Sequence, residues 1–325
     1  MNFSSMGYFI AVAEERSFTR AAVRLNVTQQ TLSARISSLE KELGTKLFER
    51  SVPLELTYAG EVFLGYARRF EAEGRAMRQE FRDIAGDERG VLHVGVAGTR
   101  GHVIMPRAIA AFQKRYPGIA VHLHERENDE LVSDVRAGLL DVAVATVAKD
   151  TPGLEVHYLY REEVVLLVAD TLLRELYGDR AEEVVATAER EQSLSPLADC
   201  PFLLLGRRDI PGEIGRRAFL RAGIEPDVRV TSTNSETLIA LCMRGAGACF
   251  SPIEFVGASM SDRMRGGIRM IHLGPDAQYW ISVAWRRSDH VWSVIDAFHK
   301  TLDSQSYQEV ALREAVRHDL GASDE

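Results

Sequence analysis

The first 60 residues carry apolar positions at helical spacing, interrupted by short polar breaks. Ser17 and Thr28 each precede an apolar-periodic run, and both side chains suit the cap of a first helical turn. After Thr28 the apolar residues recur at intervals of four, three and four until Gly44. This stripe consists of Leu32, Ile36, Leu39 and Leu43. The pattern predicts a helical module with a tight turn between two of its helices.

The opposite face of the helix after Thr28 is polar and carries few acids. In a helix-turn-helix the second helix enters the major groove N-terminus first, where Gln and Arg pair with base edges. Any surface helix also has a polar face, so the pattern alone leaves both DNA contact and ordinary solvation open. The candidate DNA contacts are Thr28, Gln29, Gln30, Thr31, Ser33 and Arg35.

Residues 60–85 contain no proline, and apolar or small residues recur there alternately every four and three positions. This spacing is a heptad seam between charged flanks. A helix this polar is marginal in isolation, so we expect it to pair with a second copy, against the alternative that it lies on its own domain. The predicted dimerisation residues are Phe63, Ala67, Phe70, Gly74, Met77, Phe81 and Ile84.

Beyond residue 90 strand-like runs alternate with helical segments. The alternation predicts α/β lobes with mostly parallel sheets covered by helices. The return of the chain through 268–285, after an inserted unit, predicts two lobes joined by paired crossovers with a cleft between them. The strand-like runs are 91–97, 119–125, 142–146, 164–169, 202–205 and 248–251.

The ends of these strands supply candidate ligand contacts. In open α/β sheets ligands bind beyond the carboxyl ends of strands, where helix N-termini offer N–H groups to anions. One hypothesis is an anionic metabolite bonded by Thr99 and neutralised by Arg100 or Arg207; the alternative for each arginine is a solvent-facing cation. The candidate effector residues are Thr99, Arg100, His102, Thr146, Gly206, Arg207, Asn234 and Ser251.

The charge distribution limits how the N-terminal module can bind DNA. The 325 residues carry a net charge of −8, which argues against a generic nucleic-acid binder. Residues 1–90 contain 13 Lys/Arg and 13 Asp/Glu, so the deficit of 26 against 34 lies in residues 91–325. DNA binding is therefore expected to depend on local geometry, two copies and base contacts.

Composition sets further limits. No apolar run approaches the roughly 18–20 residues of a membrane helix, and Met1–Phe3 does not resemble a signal peptide, so we expect a cytoplasmic protein without membrane contact. Cys200, Cys242 and Cys249 show no C-x-x-C pairing and are expected to be buried rather than in disulfides or a zinc site. No cofactor is expected.

The segment from Phe18 to Arg50, followed by Leu56–Gly60, closely resembles the N-terminal signature of LysR-type bacterial transcriptional regulators. The resemblance implies a winged helix-turn-helix whose groove-facing end is residues 29–35. It also implies a wing over residues 50–57, which adds Arg50, as a backbone contact, and Pro53 to the DNA-binding candidates. Ala34 stands where the family usually has a basic residue, and residues 51–55 contain no Lys or Arg, so modest backbone affinity is expected.

The second half also resembles this family, in its effector domain, at Gly90–Gly95, Met105–Pro106, Phe112–Pro117 and Leu139–Val144. This resemblance implies a fold like that of periplasmic binding proteins and a homodimer or tetramer. It is looser at 179–195, which we interpret as an inserted helix and loop. The predicted fold class is α plus α/β, with a winged helix-turn-helix at 1–60, a linker helix at 61–89, an effector domain at 90–303 (lobe I 90–163 and 268–303, lobe II 164–267) and a polar tail at 304–325.

The sequence thus predicts a LysR-type regulator of double-stranded operator DNA, controlled by a small molecule and not an enzyme. The alternative is a cytoplasmic nucleotide- or small-molecule-binding α/β enzyme, suggested by the glycine-rich turn 95–101 with Glu125 and Glu127 downstream. The turn lacks the G-x-G-x-x-G spacing. His122 and His124 share a strand face, but no third metal ligand is evident, and Ser251 is not in a nucleophile elbow.

Overall fold

The computed structural model describes residues 3–49, 53–86, 88–98, 100–206, 209–259 and 267–304. The predicted site residues Arg50, Thr99 and Arg207 lie outside these ranges, as does most of the predicted tail, 305–325. The described chain forms a small N-terminal module, one long helix and a larger α/β domain.

The N-terminal module contains three helices and a short hairpin. They are α1 (Phe3–Glu15), α2 (Phe18–Arg24), α3 (Gln29–Leu43), β1 (Phe48–Glu49) and β2 (Glu55–Leu56). Both predicted caps are confirmed, because the Ser17 hydroxyl accepts the Arg20 N–H at 3.3 Å and the Thr28 hydroxyl accepts the Thr31 N–H at 3.1 Å. Gly44 ends α3 in the left-handed region at φ 70°. The predicted apolar stripe of α3 is buried except at Leu43.

The long helix α4 (Tyr58–Ile84) begins inside this module. Thr57 caps it, and its first half packs against α1, where the Phe63 ring lies 4.9 Å from the Phe9 ring. Phe63 and Ala67 are buried in the core of the module. These two members of the predicted dimerisation seam are therefore wrongly assigned: their own module already covers them, because α1 lies against this part of α4.

The second half of α4 lies on the α/β domain of the same chain. The Arg75 guanidinium donates to the Gly138 carbonyl at 2.6 Å, and Glu73 forms an ion pair with Arg286. One face of α4 therefore lies on the α/β domain of its own chain, as the alternative to pairing predicts. Another face of α4 stays exposed.

Nine strands of the described residues form one sheet in the α/β domain. Seven of them are β3 (Gly90–Ala97), β4 (Ile119–Arg126), β5 (Val142–Ala145), β6 (Leu154–Ala169), β7 (Pro201–Leu205), β8 (Asp227–Ser232) and β9 (Ala248–Pro252). The other two are β10 (Ile268–His272) and β11 (Gln278–Arg286). The order is β4-β3-β5-β11-β6-β9-β7-β8, with β10 also paired to β6.

Helices cover both faces of this sheet. They are α5 (Arg100–Val103), α6 (Met105–Arg115), α7 (Asn128–Arg136), α8 (Asp170–Tyr177), α9 (Ala181–Glu191), α10 (Ile210–Ala222), α11 (Ser235–Cys242) and α12 (Ile253–Ser259). Residues 293–304 form a last helix, α13. Helix α9 accounts for the helix predicted in the insertion at 179–195.

Strand β6 joins two lobes. Its first half pairs with β11, whereas its second half pairs with β9 and β10. The chain leaves lobe I through β6 and returns to it through β10 and β11, which confirms the predicted paired crossovers. Parallel pairs β3·β4, β3·β5, β7·β8 and β7·β9 build the rest of each lobe. Each lobe buries its own apolar clusters on the two faces of its part of the sheet.

Two strands differ from the prediction. Strand β6 starts at Leu154 rather than Val164, because its residues before Val164 alternate between buried and more exposed positions and include Arg161, Glu162 and Glu163. The predicted strand runs also omit β8, an edge strand with mostly exposed residues. A strand with one solvent-exposed face lacks the continuous run of apolar residues on which the prediction of these strands depends.

Candidate DNA interface and effector cleft

Helix α3 presents a polar face to solvent at its N-terminal end. Leu32 and Ile36 are buried on the opposite side and hold this face outward. The Thr28 hydroxyl accepts the Thr31 N–H and lies 2.8 Å from the Thr31 hydroxyl, so it shapes the start of the helix. The exposed predicted contact residues are Thr28, Gln29, Gln30, Thr31 and Arg35, with Ser33 half-buried among them.

Basic side chains beside this face are balanced by acids of α1. Arg24 lies 2.8 Å from the carboxylate of Glu14, and Arg20 lies 3.4 Å from that of Glu15. The hydrogen bond and charge of Glu14 raise the pKa of Arg24. These ion pairs weaken the positive field beside the face, in line with the equal numbers of acids and bases in residues 1–90.

The wing is attached to the recognition helix by Glu40, which the sequence analysis missed. Glu40 is 7% exposed, and its carboxylate accepts the Leu47 N–H at 3.0 Å and the Lys46 ammonium at 2.6 Å. Burial raises the pKa of Glu40, but these hydrogen bonds outweigh it and hold the pKa below its ordinary value. Pro53 is exposed between the two hairpin strands.

The remaining seam residues of α4 form an exposed apolar stripe. Phe70 is 44% exposed, and exposure rises through Met77 (54%) and Phe81 (67%) to Ile84 (73%). Gly74 lies between them and is partly buried. A stripe of large apolar side chains on one helix face marks a surface that suits a partner.

On the lobe I side of the cleft, Arg100 begins α5 directly after β3 and is only 5% exposed. Its Nη2 donates to the Thr146 hydroxyl at 3.0 Å and lies 3.7 Å from the Glu162 carboxylate. Burial lowers the pKa of Arg100, but the adjacent Tyr279 hydroxyl and Glu162 carboxylate outweigh this effect and raise the pKa overall. Arg100 is thus a fixed internal cation, and the alternative of a solvent-facing cation is wrong for it.

Helix α7 starts beside this cluster. The Asn128 side-chain oxygen accepts the Thr146 N–H at 2.9 Å. Glu127 and Glu130 form a capping box in which each side chain accepts from the other's backbone. The start of α7 is therefore bonded, through the Asn128 side chain, to the same strand end that holds Arg100.

The lobe II side contains the starts of α10 and α11. Gly206 follows β7, and Asp209 is the N-cap residue of α10. Asn234 caps α11, accepting the Thr237 N–H at 2.9 Å. At the rim, His102 Nδ1 lies 3.6 Å from Glu236 Oε1, a contact that joins the two lobes.

Asp209 has an unusual environment for a helix cap. Burial raises its pKa to about 6, and the charge of Glu127 in lobe I adds to the effect. The Gly212 N–H and the charges of Arg100 and Arg216 act in the opposite direction. Asp209 therefore lies within electrostatic range of lobe I residues, across the boundary between the lobes.

One predicted effector residue does not reach the cleft. Ser251 is fully buried in β9 opposite Val165, and its hydroxyl donates to the Pro252 carbonyl at 3.3 Å. Its assignment is wrong, because its hydroxyl is fully covered at the end of β9 and bonded within its own strand. Other cleft residues cannot be recognised from the sequence, because only the packing of separate segments brings them together. They are Asn128, Glu162, Asp209 and Tyr279.

The histidines of lobe I gain a neighbour from the next strand. His93 Nδ1 lies 3.1 Å from His124 Nε2, and the His93 and His122 ring centres are 5.2 Å apart. Burial lowers the pKa of His93 to about 4. Within the part of the chain that the structure describes, no group of three or more His, Cys, Asp or Glu side chains is arranged to hold a metal ion.

Comparison with known families assigns both halves of the chain. Residues 85–306 match the LysR substrate binding domain, and residues 3–61 match the bacterial regulatory helix-turn-helix protein of the lysR family. The chain belongs to the LysR family of bacterial transcriptional regulators. LysR-family proteins are DNA-binding regulators with an effector-binding domain and are not enzymes, which removes the alternative of an α/β enzyme.

Individual LysR relatives cover most of the chain. The HTH-type transcriptional regulator TfdS of Cupriavidus pinatubonensis is 31% identical over 253 residues, 78% of this chain and 82% of TfdS. A hydrogen peroxide-inducible genes activator of Pectobacterium carotovorum is 29% identical over 78% of this chain and 80% of its own length. The crystal structure of full-length CbnR complexed with its target DNA is similar with a TM-score of 0.65 and 29% identity, covering 94% of this chain and 100% of CbnR.

None of the helices in the described ranges is both long and apolar enough to cross a membrane.

Proposed function

We propose that two copies of this chain bind operator DNA through the N-terminal ends of their α3 helices, and that a small molecule bound between the lobes controls the spacing of the two heads. The observation that carries the proposal is the capped helix α3, whose buried stripe aims the polar surface around Gln29, Gln30 and Arg35 at solvent. A helix with this polar tip is what major-groove recognition requires.

Helix α4 is the proposed pairing element. Its exposed residues Phe70, Met77, Phe81 and Ile84 follow the heptad seam, so an equivalent helix can cover them. Pairing also compensates for the weak field of each module, because two half-sites bound together combine their binding energies. The protein is therefore proposed to act as a homodimer, or as a tetramer of such dimers.

Helix α7 supports a physical link between effector and DNA. Its N-terminus is bonded to the cleft through Asn128 and Thr146, and the carbonyls just beyond its C-terminus, at Gly138 and Leu139, accept from Arg75 of α4. A ligand that favours one lobe arrangement shifts the population of that state and, through α7, the placement of α4.

The Arg35→Ala variant tests DNA recognition. We expect its affinity for the operator to fall about tenfold to hundredfold, because a lost base contact is worth about 1–3 kcal/mol. The measurement is a salt-controlled binding titration on the operator defined by footprinting of the parent protein. Lys41→Ala removes the same charge from the exposed far end of α3 and should bind like the parent. Equal losses in both variants would show that Arg35 contributes only charge.

The Phe81→Glu variant tests pairing through α4. We expect a dimer that dissociates at micromolar concentration, since burial of a Phe side chain is worth about 1.5–3 kcal/mol and each dimer loses two. Sedimentation velocity of the parent and the variant measures this. Leu220→Glu places the same charge at an apolar residue of α10 that is 81% exposed and should leave the dimer intact. A Phe81→Glu dimer as stable as the parent would exclude this face.

The three cysteines of this chain do not favour a response to hydrogen peroxide of the kind named for one relative. Cys200, Cys242 and Cys249 are fully buried. Burial raises the pKa of Cys200 to about 11, and a hydrogen bond with Cys242 raises that of Cys249. Because the thiolate is the reactive form, these environments oppose oxidation, and a metabolite bound in the cleft is the proposed signal.

The proposed working division is a DNA-binding module at 1–60, a linker at 61–89, an effector domain at 90–303 and a tail at 304–325. The family matches at 3–61 and 85–306 agree with it. Because the target is operator DNA, the proposed location is the cytoplasm.

A further inference from the structure

Two buried polar atoms at the boundary between the lobes have no hydrogen-bond partner among the described residues. One is Nε of Arg100 in lobe I, and the other is Oδ1 of Asp209 in lobe II. Buried polar groups in native proteins are nearly always bonded, so an unpaired donor and an unpaired acceptor in one region point to a missing third group. Arg100 is 5% exposed, so bulk water does not supply that group.

The Nη2 end of the Arg100 guanidinium is already bonded within lobe I. Nη2 bonds to Thr146 and faces Glu162, so the guanidinium has its counterion and offers the ligand one directional donor rather than a full unit of charge. A ligand oxygen that accepts a hydrogen bond from Nε would give this unpaired donor of Arg100 its partner.

The Asp209 side has the opposite character. The Glu127 carboxylate in lobe I lies close enough to disfavour the ionised form of Asp209, and the Gly212 N–H, Arg100 and Arg216 only partly offset this. A neutral ligand group would leave the repulsion between the two acids in place. A cationic N–H donor between them would satisfy Oδ1 and relieve the repulsion.

We infer that the effector is a small zwitterion of the amino-acid type, with an acceptor oxygen on Arg100 Nε and an ammonium group between Asp209 and Glu127. The inference rests on the proposed effector role of the cleft. A simple carboxylate would add a third negative charge and leave Oδ1 unpaired, and a simple amine would leave Nε unpaired. This ligand class differs from the anionic metabolite that the sequence suggests as one hypothesis.

Ligand entry goes with separation of the lobes. Both unpaired atoms are sealed from solvent, and the contact between His102 and Glu236 lies at the rim. The zwitterion would then hold both lobes at once, through Arg100 in one and Asp209 in the other.

The full-length dimer is titrated calorimetrically with the proteinogenic L-amino acids, and each binder is compared with its des-amino carboxylic acid and its decarboxylated amine. We expect at least one amino acid to bind and both truncated analogues to bind at least about tenfold more weakly, because a site built for polar partners rejects ligands that lack them. Equal binding of the des-amino acid, or no binding by any amino acid, would overturn the inference.

Asp209→Asn is expected to weaken binding of the amino acid about tenfold and to reduce its advantage over the des-amino analogue. Asp227→Asn, at an exposed position of β8 in the same lobe, should bind like the parent. Operator footprinting on the same samples distinguishes failure of the ligand class from failure of the proposed function. A retained footprint with no amino-acid binding refutes the ligand class alone. Absence of a footprint with the parent protein refutes the proposed regulator.

Discussion

Replacing Gly60 with alanine is expected to destabilise the DNA-binding module by about 3 kcal/mol, at the upper end for an overpacked site. A Cβ at Gly60 would lie 2.1 Å from the Leu47 carbonyl oxygen, where the start of α4 crosses the backbone that leads into the wing. A backbone atom cannot swing aside as a side chain does, so the helix or the hairpin must move. Urea unfolding followed by circular dichroism measures the loss, and operator affinity should fall with it.

Gly65→Ala is the matched control, because it makes the same change one and a half turns later in the same helix. No atom lies within 4 Å of a Cβ at Gly65. Alanine is the better helix former, so we expect Gly65→Ala to be stabilising by about 0.5–1 kcal/mol. Parallel losses in both variants would mean that α4 needs flexibility rather than close approach to Leu47.

Local signals determine the N-terminal module, and for that reason the sequence predicts it well. The caps at Ser17 and Thr28 and the end at Gly44 depend on neighbours within a few residues. The dimerisation seam is only partly predictable. A heptad pattern shows which residues of a helix are apolar, but it does not show which other element covers them. Phe63 and Ala67 meet α1 of their own chain, while Phe81 stays exposed.

The fold class of the effector domain is predictable from the sequence, but the chemistry of its binding site is not. Strand ends and helix starts predict Arg100, Thr146, Gly206 and Asn234 as cleft residues, since cleft position follows from α/β topology. The chemistry of the cleft depends instead on side chains far apart along the chain, such as Glu162 and Asp209. Ser251 does lie at the end of β9, and its misassignment arises because residue types do not show that the surrounding packing covers its side chain.

We expect the ionised carboxylate of Asp209 to destabilise the folded protein, although the same carboxylate is proposed to bind the ligand. The pKa of Asp209 is about 6 against an ordinary 3.8, so the folded state binds its proton more tightly than the unfolded state. For an acid with a raised pKa, stability falls as pH rises from about 4 to about 6 and is then level. At about 1.4 kcal/mol per unit, the ionised Asp209 costs the folded protein up to about 3 kcal/mol above pH 6.

Asp209→Asn cannot ionise, and we expect it to be more stable than the parent by about 1–3 kcal/mol at pH 7.5, allowing for partial exposure. The gain should shrink by about 1–1.5 kcal/mol at pH 5, where the parent's carboxyl is mostly protonated. Urea unfolding at both pH values measures it, with Asp227→Asn, at an exposed position of β8, as the reference for a charge change alone.

A stabilised Asp209→Asn protein that also loses its ligand would connect the two roles, because strained and unsatisfied groups persist where function requires them. The ammonium of the ligand would supply in the complex what the free protein lacks, so ligand binding should stabilise the parent more than the variant. A variant that is instead less stable than the parent at pH 7.5 would show that the carboxylate serves mainly as the cap of α10, through the Gly212 N–H. In that case Asp209 would be part of the fold, and the cleft would have to recognise its ligand through Arg100 alone.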